Sequence, residues 1–350
     1  MLGWDAGYEE SLEALGDERL RPARVIVAHR EHYTIGDGEQ EAAASLAGRL
    51  RHHTLPMEGF PVVGDWVAVT EPPGAGTFLI HAVLPRRSHF SRNAAGQETR
   101  RQVLAANVDT VLIMTALDHE FNPRRLERYA AMAWGSGAQP VILLTKADGC
   151  PDLTQFLAEA REAAPGMPVH AVSAVSGQGL EALEVYLRPA ATVALLGSSG
   201  VGKSTLLNRL LGREVQRTLA VRQSDARGRH ATTHRELFFL PGGAMVIDTP
   251  GLRELQLWDP GEGVAATFED IEALAEDCRF RDCTHCGEPG CAVAVALDSG
   301  ELSEARLKSY RALQREQDYA ARRLDERLER EHEERWKSIA KWNKKYNTNR

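Results

Sequence analysis

The spacing of hydrophobic positions changes along the chain. From Arg24 to about Pro85, short alternating or apolar runs (RVIVAHREHYTIG, AGRLRHH, GDWVAVTE, TFLIHAVLP) are punctuated by Gly and Pro at Gly36/Gly38, Gly59–Pro61 and Pro72–Gly76. Strands of that length with turn signals between them predict a small barrel or sandwich. From about Val108 to Leu257, strand-like runs (VDTVLIMTA, PVILLTKAD, VHAVSA, TVALLG, RELFFLP, AMVIDTPG) alternate with helical ones (RRLERYAAMAWGSG, LTQFLAEAREAA, KSTLLNRLLG). That alternation predicts an α/β fold with a mostly parallel sheet and helices on both faces. Beyond Leu257 come a short helical piece, a cysteine cluster and a charged helical tail from about Ser303. The expected boundaries are 1–95, 96–258 and 259–350.

Composition narrows this picture modestly. A chain of 350 residues with 43% hydrophobic and 26% charged residues can bury real cores, and a formal net charge of -7 excludes a uniformly basic nucleic-acid binder. The first residues, MLGWDAGYEESLEAL, carry early acids and no long apolar run, and no later run reaches membrane-spanning length. A cytoplasmic protein is expected. Four of the five cysteines crowd between Cys278 and Cys291, which reads as a metal site in a reducing compartment.

The segment Gly197-Ser198-Ser199-Gly200-Val201-Gly202-Lys203-Ser204, followed by Thr205, fits G-x-x-x-x-G-K-[ST] between a strand run and a helix run. Its glycines turn successive N–H groups toward phosphate oxygens, and the helix start adds positive potential. Lys203 is expected on the β- and γ-phosphates and Ser204 on Mg²⁺. A glycine-rich turn that binds nothing is the bland alternative. Asp248-Thr249-Pro250-Gly251 ends a second strand run, where Asp248 can hold Mg²⁺ through water and Gly251 can offer its N–H to the γ-phosphate. Between them the polar stretch Arg217–Glu236, ending GRHATTHRE, reads as a switch segment or a solvated linker; Thr232 or Thr233 could complete the Mg²⁺ shell.

Thr145-Lys146-Ala147-Asp148 follows PVILL in the manner of the [NT]-K-x-D loop of guanine-nucleotide proteins. The Asp148 carboxylate would accept from guanine N1–H and N2–H₂ while the Lys146 stem lies over the base. Adenine lacks that donor pair, which costs on the order of 2 kcal/mol or more. Thr145 is shorter than the usual Asn, which leaves the rigidity of this loop open. Ser173-Ala174 fits the motif that gives a backbone N–H to guanine O6. A conventional GTPase runs phosphate loop first and base motifs last. Here TKAD and SA precede the phosphate loop, so the expected fold is circularly permuted, with termini joined and the chain opened elsewhere.

Cys278-x4-Cys283-x-His285-x5-Cys291 supplies three thiolates and an imidazole, the donor set of a closed, structural Zn²⁺ site. Cys286, adjacent to His285, is read as a bystander.

Together, GDW, TKAD, SA, GSSGVGKS, GRHATTHRE, DTPG and CRFRDCTHCGEPGCAV in this order resemble the ribosome small-subunit-dependent GTPase A (RsgA/YjeQ-like) family. The resemblance implies an N-terminal OB-fold, a central permuted GTPase and a C-terminal zinc domain. It also implies low intrinsic GTP hydrolysis stimulated by the 30S subunit in its late maturation, with Thr232 as the switch threonine and Cys278, Cys283, His285 and Cys291 as zinc ligands. Ala231 and Cys286 depart from the family pattern without removing a ligand.

Leu252 stands where many GTPases place a water-positioning Gln, so His230 is the candidate for orienting water, and Arg229 a weaker one for charge; a solvated loop histidine is the alternative. Two basic patches suggest contact with 16S rRNA: Arg86, Arg87, Arg92, Arg100 and Arg101, and Arg335, Lys337, Lys341, Lys344 and Lys345 among Trp336, Trp342 and Tyr346. A monomer is expected. A nucleotide-responsive RNA-binding module without a hydrolytic timer is the rival reading; a generic ATPase is opposed by Asp148.

Overall fold

The computed structural model describes residues 2–29, 32–48, 50, 59–72, 74, 76–93, 101–119, 121–214, 235–248 and 263–322. His230, Thr232 and Gly251, with Arg229, Thr233 and the basic patch from Arg335 onward, lie outside the described residues.

The N-terminal barrel is built from β1 (Arg21–His29), β2 (His32–Gly36), β3 (Glu41–Leu46), β4 (Trp66–Thr70) and β5 (Phe78–Val83). They run in the order β1-β2-β3-β5-β4, and β4 pairs back onto β1 to close the ring. The β3–β5 pair is parallel and the others antiparallel. This is the arrangement of a five-stranded Greek-key OB barrel. Alternate residues fill it, including Ala23 and Val25, Tyr33 and Ile35, Ala44 and Leu46, and Val67 and Val69. The run RVIVAHREHYTIG is thus a hairpin of two strands. The third strand is the alanine-rich EAAASL, which lies just before AGRLRHH. α1 (Ala6–Glu13) precedes the barrel, capped by the Asp5 side chain, and a separate hairpin, β6 (His89–Asn93) with β7 (Arg101–Ala106), follows it.

The central sheet adds β8 (Thr110–Ala116), β9 (Gln139–Thr145), β10 (Val169–Ala171), β11 (Thr192–Gly197), β12 (Arg235–Phe239) and β13 (Met245–Asp248). Their order is β10-β9-β8-β11-β13-β12, parallel except for β12. The chain therefore lays three strands outward from β8, returns to the centre with β11, and only then builds the other half. Strands covered on both faces read as unbroken apolar runs. Val111 and Ile113 of β8 face one core, and Leu112 and Met114 the other.

The first face carries α2 (Pro123–Gly135) and α3 (Thr154–Ala163); the second carries α4 (Lys203–Leu211). The C-terminal region, with α5 (Gly263–Thr267), α6 (Glu269–Glu276), α7 (Ala292–Ser299) and a helix over 304–322 (α8), shares the first core through Phe268, Ile271, Val293 and Leu307.

Barrel and central sheet are spliced into one sheet, because β1 also pairs with β12 at Val27–Glu236 and Ala28–Arg235. Beside the splice, the fully buried Arg24 donates to Gly64 O (3.2 Å), Asn107 O (3.0 Å), Thr192 Oγ1 (2.8 Å) and Leu2 O. Burial holds its pKa down to about 10, so it remains a cation at neutral pH and ties barrel, N-terminus and sheet together.

Candidate nucleotide and metal sites

The carboxyl ends of β8, β9, β11 and β13 meet at one edge of the sheet, where an open α/β sheet places its ligand. Ala116 lies beside Thr145, and Gly197 beside Met114. Gly197 belongs there for a steric reason: a Cβ would stand 2.4 Å from the Met114 carbonyl oxygen. The loop from Gly197 leads directly into α4 at Lys203. Lys203 is buried, and its Nζ donates to Gly197 O (2.6 Å) and Ser198 O (2.5 Å), which fixes the ammonium across the loop. Ser199 and Gly200 are exposed at the tip and Val201 is buried beneath it. Ser204 and Thr205 form the first turn of α4, and Asp248 is buried at the end of β13, the strand paired directly with β11.

Thr145 resolves the open question of the base loop. Its hydroxyl reaches Val201 O at 2.7 Å and Thr115 O at 3.2 Å. A threonine thus ties the TKAD loop to the phosphate loop across 56 residues of sequence. Lys146 adopts a left-handed conformation (φ 61°) and pairs with Asp118 at 2.9 Å. Asp148 follows in a short 3-10 turn, Ala147–Gly149, with its side chain exposed. The neighbouring strand brings Ser173-Ala174 alongside: Ala147 N donates to Val172 O, and buried Ser173 caps its own loop through Ser176 N. The phosphate loop and both base motifs are therefore assembled at one edge despite their reversed chain order.

Sequence reasoning missed two partners here. Asp118, which holds Lys146, carries no motif. Arg125 of α2 donates to Ser198 Oγ at 2.8 Å, and its only signal is a pair of arginines at a helix start. Of the basic patch after the barrel, Arg86 and Arg87 both have carboxylate partners. Arg86 grips the buried Asp65 through two 2.7 Å bonds, and Arg87 pairs with Asp5 while stacking on Tyr8. Arg86 is thus largely buried against the barrel, whereas Arg87 stays about half exposed beside α1.

The second site lies in the C-terminal region. The ligand atoms of Cys278, Cys283, His285 and Cys291 all lie within 4.8 Å of one another. Cys278 Sγ is 3.9 Å from Cys291 Sγ, and His285 Nδ1 is 3.6 Å from each of those sulfurs. A tetrahedron with metal–sulfur bonds of about 2.3 Å and metal–nitrogen bonds of about 2.0 Å has edges of roughly 3.5–3.8 Å. The residues fit zinc. Desolvation pushes the Cys283 thiol up to about 12, and the Cys291 and Cys278 sulfurs add to the rise; a divalent cation among them removes that penalty. Cys286 is exposed and points to Thr284 O, outside the cluster, as expected.

Fold and site together define a circularly permuted P-loop GTPase. A family model described as RsgA GTPase matches residues 83–258. The small ribosomal subunit biogenesis GTPase RsgA of Opitutus terrae is 52% identical over 347 residues, covering 97% of this chain and 95% of that protein. Its namesake from Streptomyces avermitilis is 46% identical over 343 residues, covering 96% and 90%. Among solved structures, YjeQ from Thermotoga maritima superposes with a TM-score of 0.64 at 27% identity, covering 85% of this chain and 98% of that one. YloQ, described as a circularly permuted GTPase, shares the fold with a TM-score of 0.62 at 23% identity, covering 86% and 96%. The chain belongs to the RsgA GTPase family.

Proposed function

We propose that this GTPase acts in late maturation of the 30S ribosomal subunit in the cytoplasm, with slow intrinsic hydrolysis that the subunit accelerates. The names of the relatives support the ribosomal role. The observation that carries the nucleotide reading is the Thr145–Val201 bond, which sets the base loop against the phosphate loop.

In this reading Asp148 accepts from guanine N1–H and N2–H₂, and the Ser173-Ala174 backbone donates to O6. Gly197 to Gly202 wrap the phosphates, and Lys203 neutralises charge building on the β–γ bridge. Ser204 and Thr232 would hold Mg²⁺, with Asp248 acting through water; when bound, that ion supplies charge neutralisation for the leaving diphosphate. Gly251 donates to the γ-phosphate and His230 orients the attacking water. Zinc at Cys278, Cys283, His285 and Cys291 is structural. The boundaries 1–95, 96–258 and 259–350 separate an OB-fold, the GTPase and a zinc domain, and the outer two hold 16S rRNA to a monomeric protein. In this reading Arg87, about half exposed, remains available to RNA, while Arg86 is committed to Asp65.

The test is the GTPase rate with and without purified 30S subunits. Stimulation that His230→Ala removes while GTP binding survives supports the reading. An unchanged rate on adding 30S overturns it.

A further inference from the structure

α2 opens with two arginines and no acid in its first turn, against the preference of a helix start for negative charge. Asn122 caps that end through the N–H groups of Arg124 and Arg125, and Pro123 presets its first turn. The cap offsets part of the mismatch and leaves both guanidinium groups to act elsewhere.

Arg125 crosses to the phosphate loop and donates to Ser198 Oγ at 2.8 Å. Ser198 is also the residue whose carbonyl accepts from Lys203 Nζ. One helical side chain thus holds the loop position that holds the phosphate-binding lysine.

Glu127 stands two residues later, about 200° around the helix and so on the far side. Its carboxylate is fully buried and accepts from Arg124 and from Arg306 of α8. Arg306 is equally buried; it also grips Asp270 of α6 through 2.6 and 2.7 Å bonds and donates to Thr267 O and Ala163 O. A second tie, Arg128 to Glu316 of α8, is half-exposed and bidentate at 2.6 and 2.7 Å. Beneath these pairs the backbones meet: a Cβ on Gly263 of α5 would stand 2.2 Å from Ala131 O. α2 therefore touches the phosphate loop and is also locked to the C-terminal helices.

We propose that Arg125 is a positioning residue of the phosphate loop, and that α2 conveys the seating of the C-terminal helices to it. The idea rests on residues 197–204 being the phosphate site. Whatever docks on the C-terminal region then sets nucleotide retention through a rigid lever rather than through the segments that carry Thr232 and Gly251.

The experiment uses the full chain, a fluorescent guanine nucleotide and single-turnover GTP hydrolysis. Arg125→Ala and Ser198→Ala should each speed nucleotide release about three- to tenfold, the net scale of one part-exposed hydrogen bond. The double variant should be no worse than either single one, and Arg125→Lys should restore part of the loss. The thermal midpoint should stay within a degree or two, which separates positioning from mere stability. Glu316→Ala, which cuts the exposed tie without opening the core, should speed release less, and should add nothing in an Arg125→Ala background. Multiplying effects for Arg125 and Ser198, or unchanged release, overturn the positioning role; multiplying effects for Arg125 and Glu316 overturn the lever. Lys203→Ala serves as the control. If it still binds nucleotide normally, the site assignment has failed instead.

Discussion

A single hydroxyl decides how firmly the base loop is held. Thr145 is buried, and its O–H lies between the carbonyls of Val201 and Thr115. Thr145→Val keeps the shape and removes the donor, stranding a buried carbonyl at a cost of about 1–2 kcal/mol. Nucleotide affinity should fall roughly five- to thirtyfold by fluorescence titration, and a smaller loss than twofold would refute the tether. Asp148→Asn offers guanine a donor where it needs an acceptor. It should cost GTP about thirtyfold or more while leaving weak ATP binding unchanged, as competition titrations would read. The identity of both residues was plain from TKAD, and Cys278, Cys283, His285 and Cys291 were equally plain from spacing. Their partners were not. Asp118 and Arg125 reach the site across 28 and 73 residues of sequence, and local pattern carries no record of such encounters.

Among the elements, legibility followed burial on two faces. β8, β9 and β11 are apolar along almost their whole length and stood out at once. β3 did not, since EAAASL has the composition of a helix and becomes a strand only because β2 and β5 flank it. The β6–β7 hairpin escaped notice because β6 (HFSRN) is short and mostly polar, and β7 carries only the short apolar run Val103–Ala106. The partner of Arg86 was illegible for a related reason. Asp65, in the GDW turn, sits 21 residues back and is wholly buried. Burial alone raises the Asp65 pKa, with Arg86 opposing the rise. Asp65→Ala would leave a cation without its counter-charge and should destabilise the fold by about 3–5 kcal/mol in denaturant titration. Gly197→Ala acts on a different element: the new methyl group collides with β8. It should abolish nucleotide binding with the barrel still folded, which circular dichroism and titration together would show.

For the whole molecule, the proposed zinc site bears on one end and the sheet on the rest. Cys291 is both a cluster member and the cap of α7, accepting from Ala294 N. Stripping zinc with a strong chelator should therefore unfold the C-terminal region first, as a separate low-temperature calorimetric transition that added zinc reverses. Rebinding should release protons, because Cys283 must ionise from a thiol held up to about 12. A single unsplit transition in the chelated protein would count against this. The pairing of β1 with β12 has a different consequence, for anyone who tries to trim the protein. A fragment truncated after the barrel would expose the open flank of β1, and a GTPase fragment lacking the barrel would expose that of β12, with Phe239 partly uncovered beside it. Raw strand flanks recruit other chains, so both halves should clump where the intact polypeptide stays dispersed.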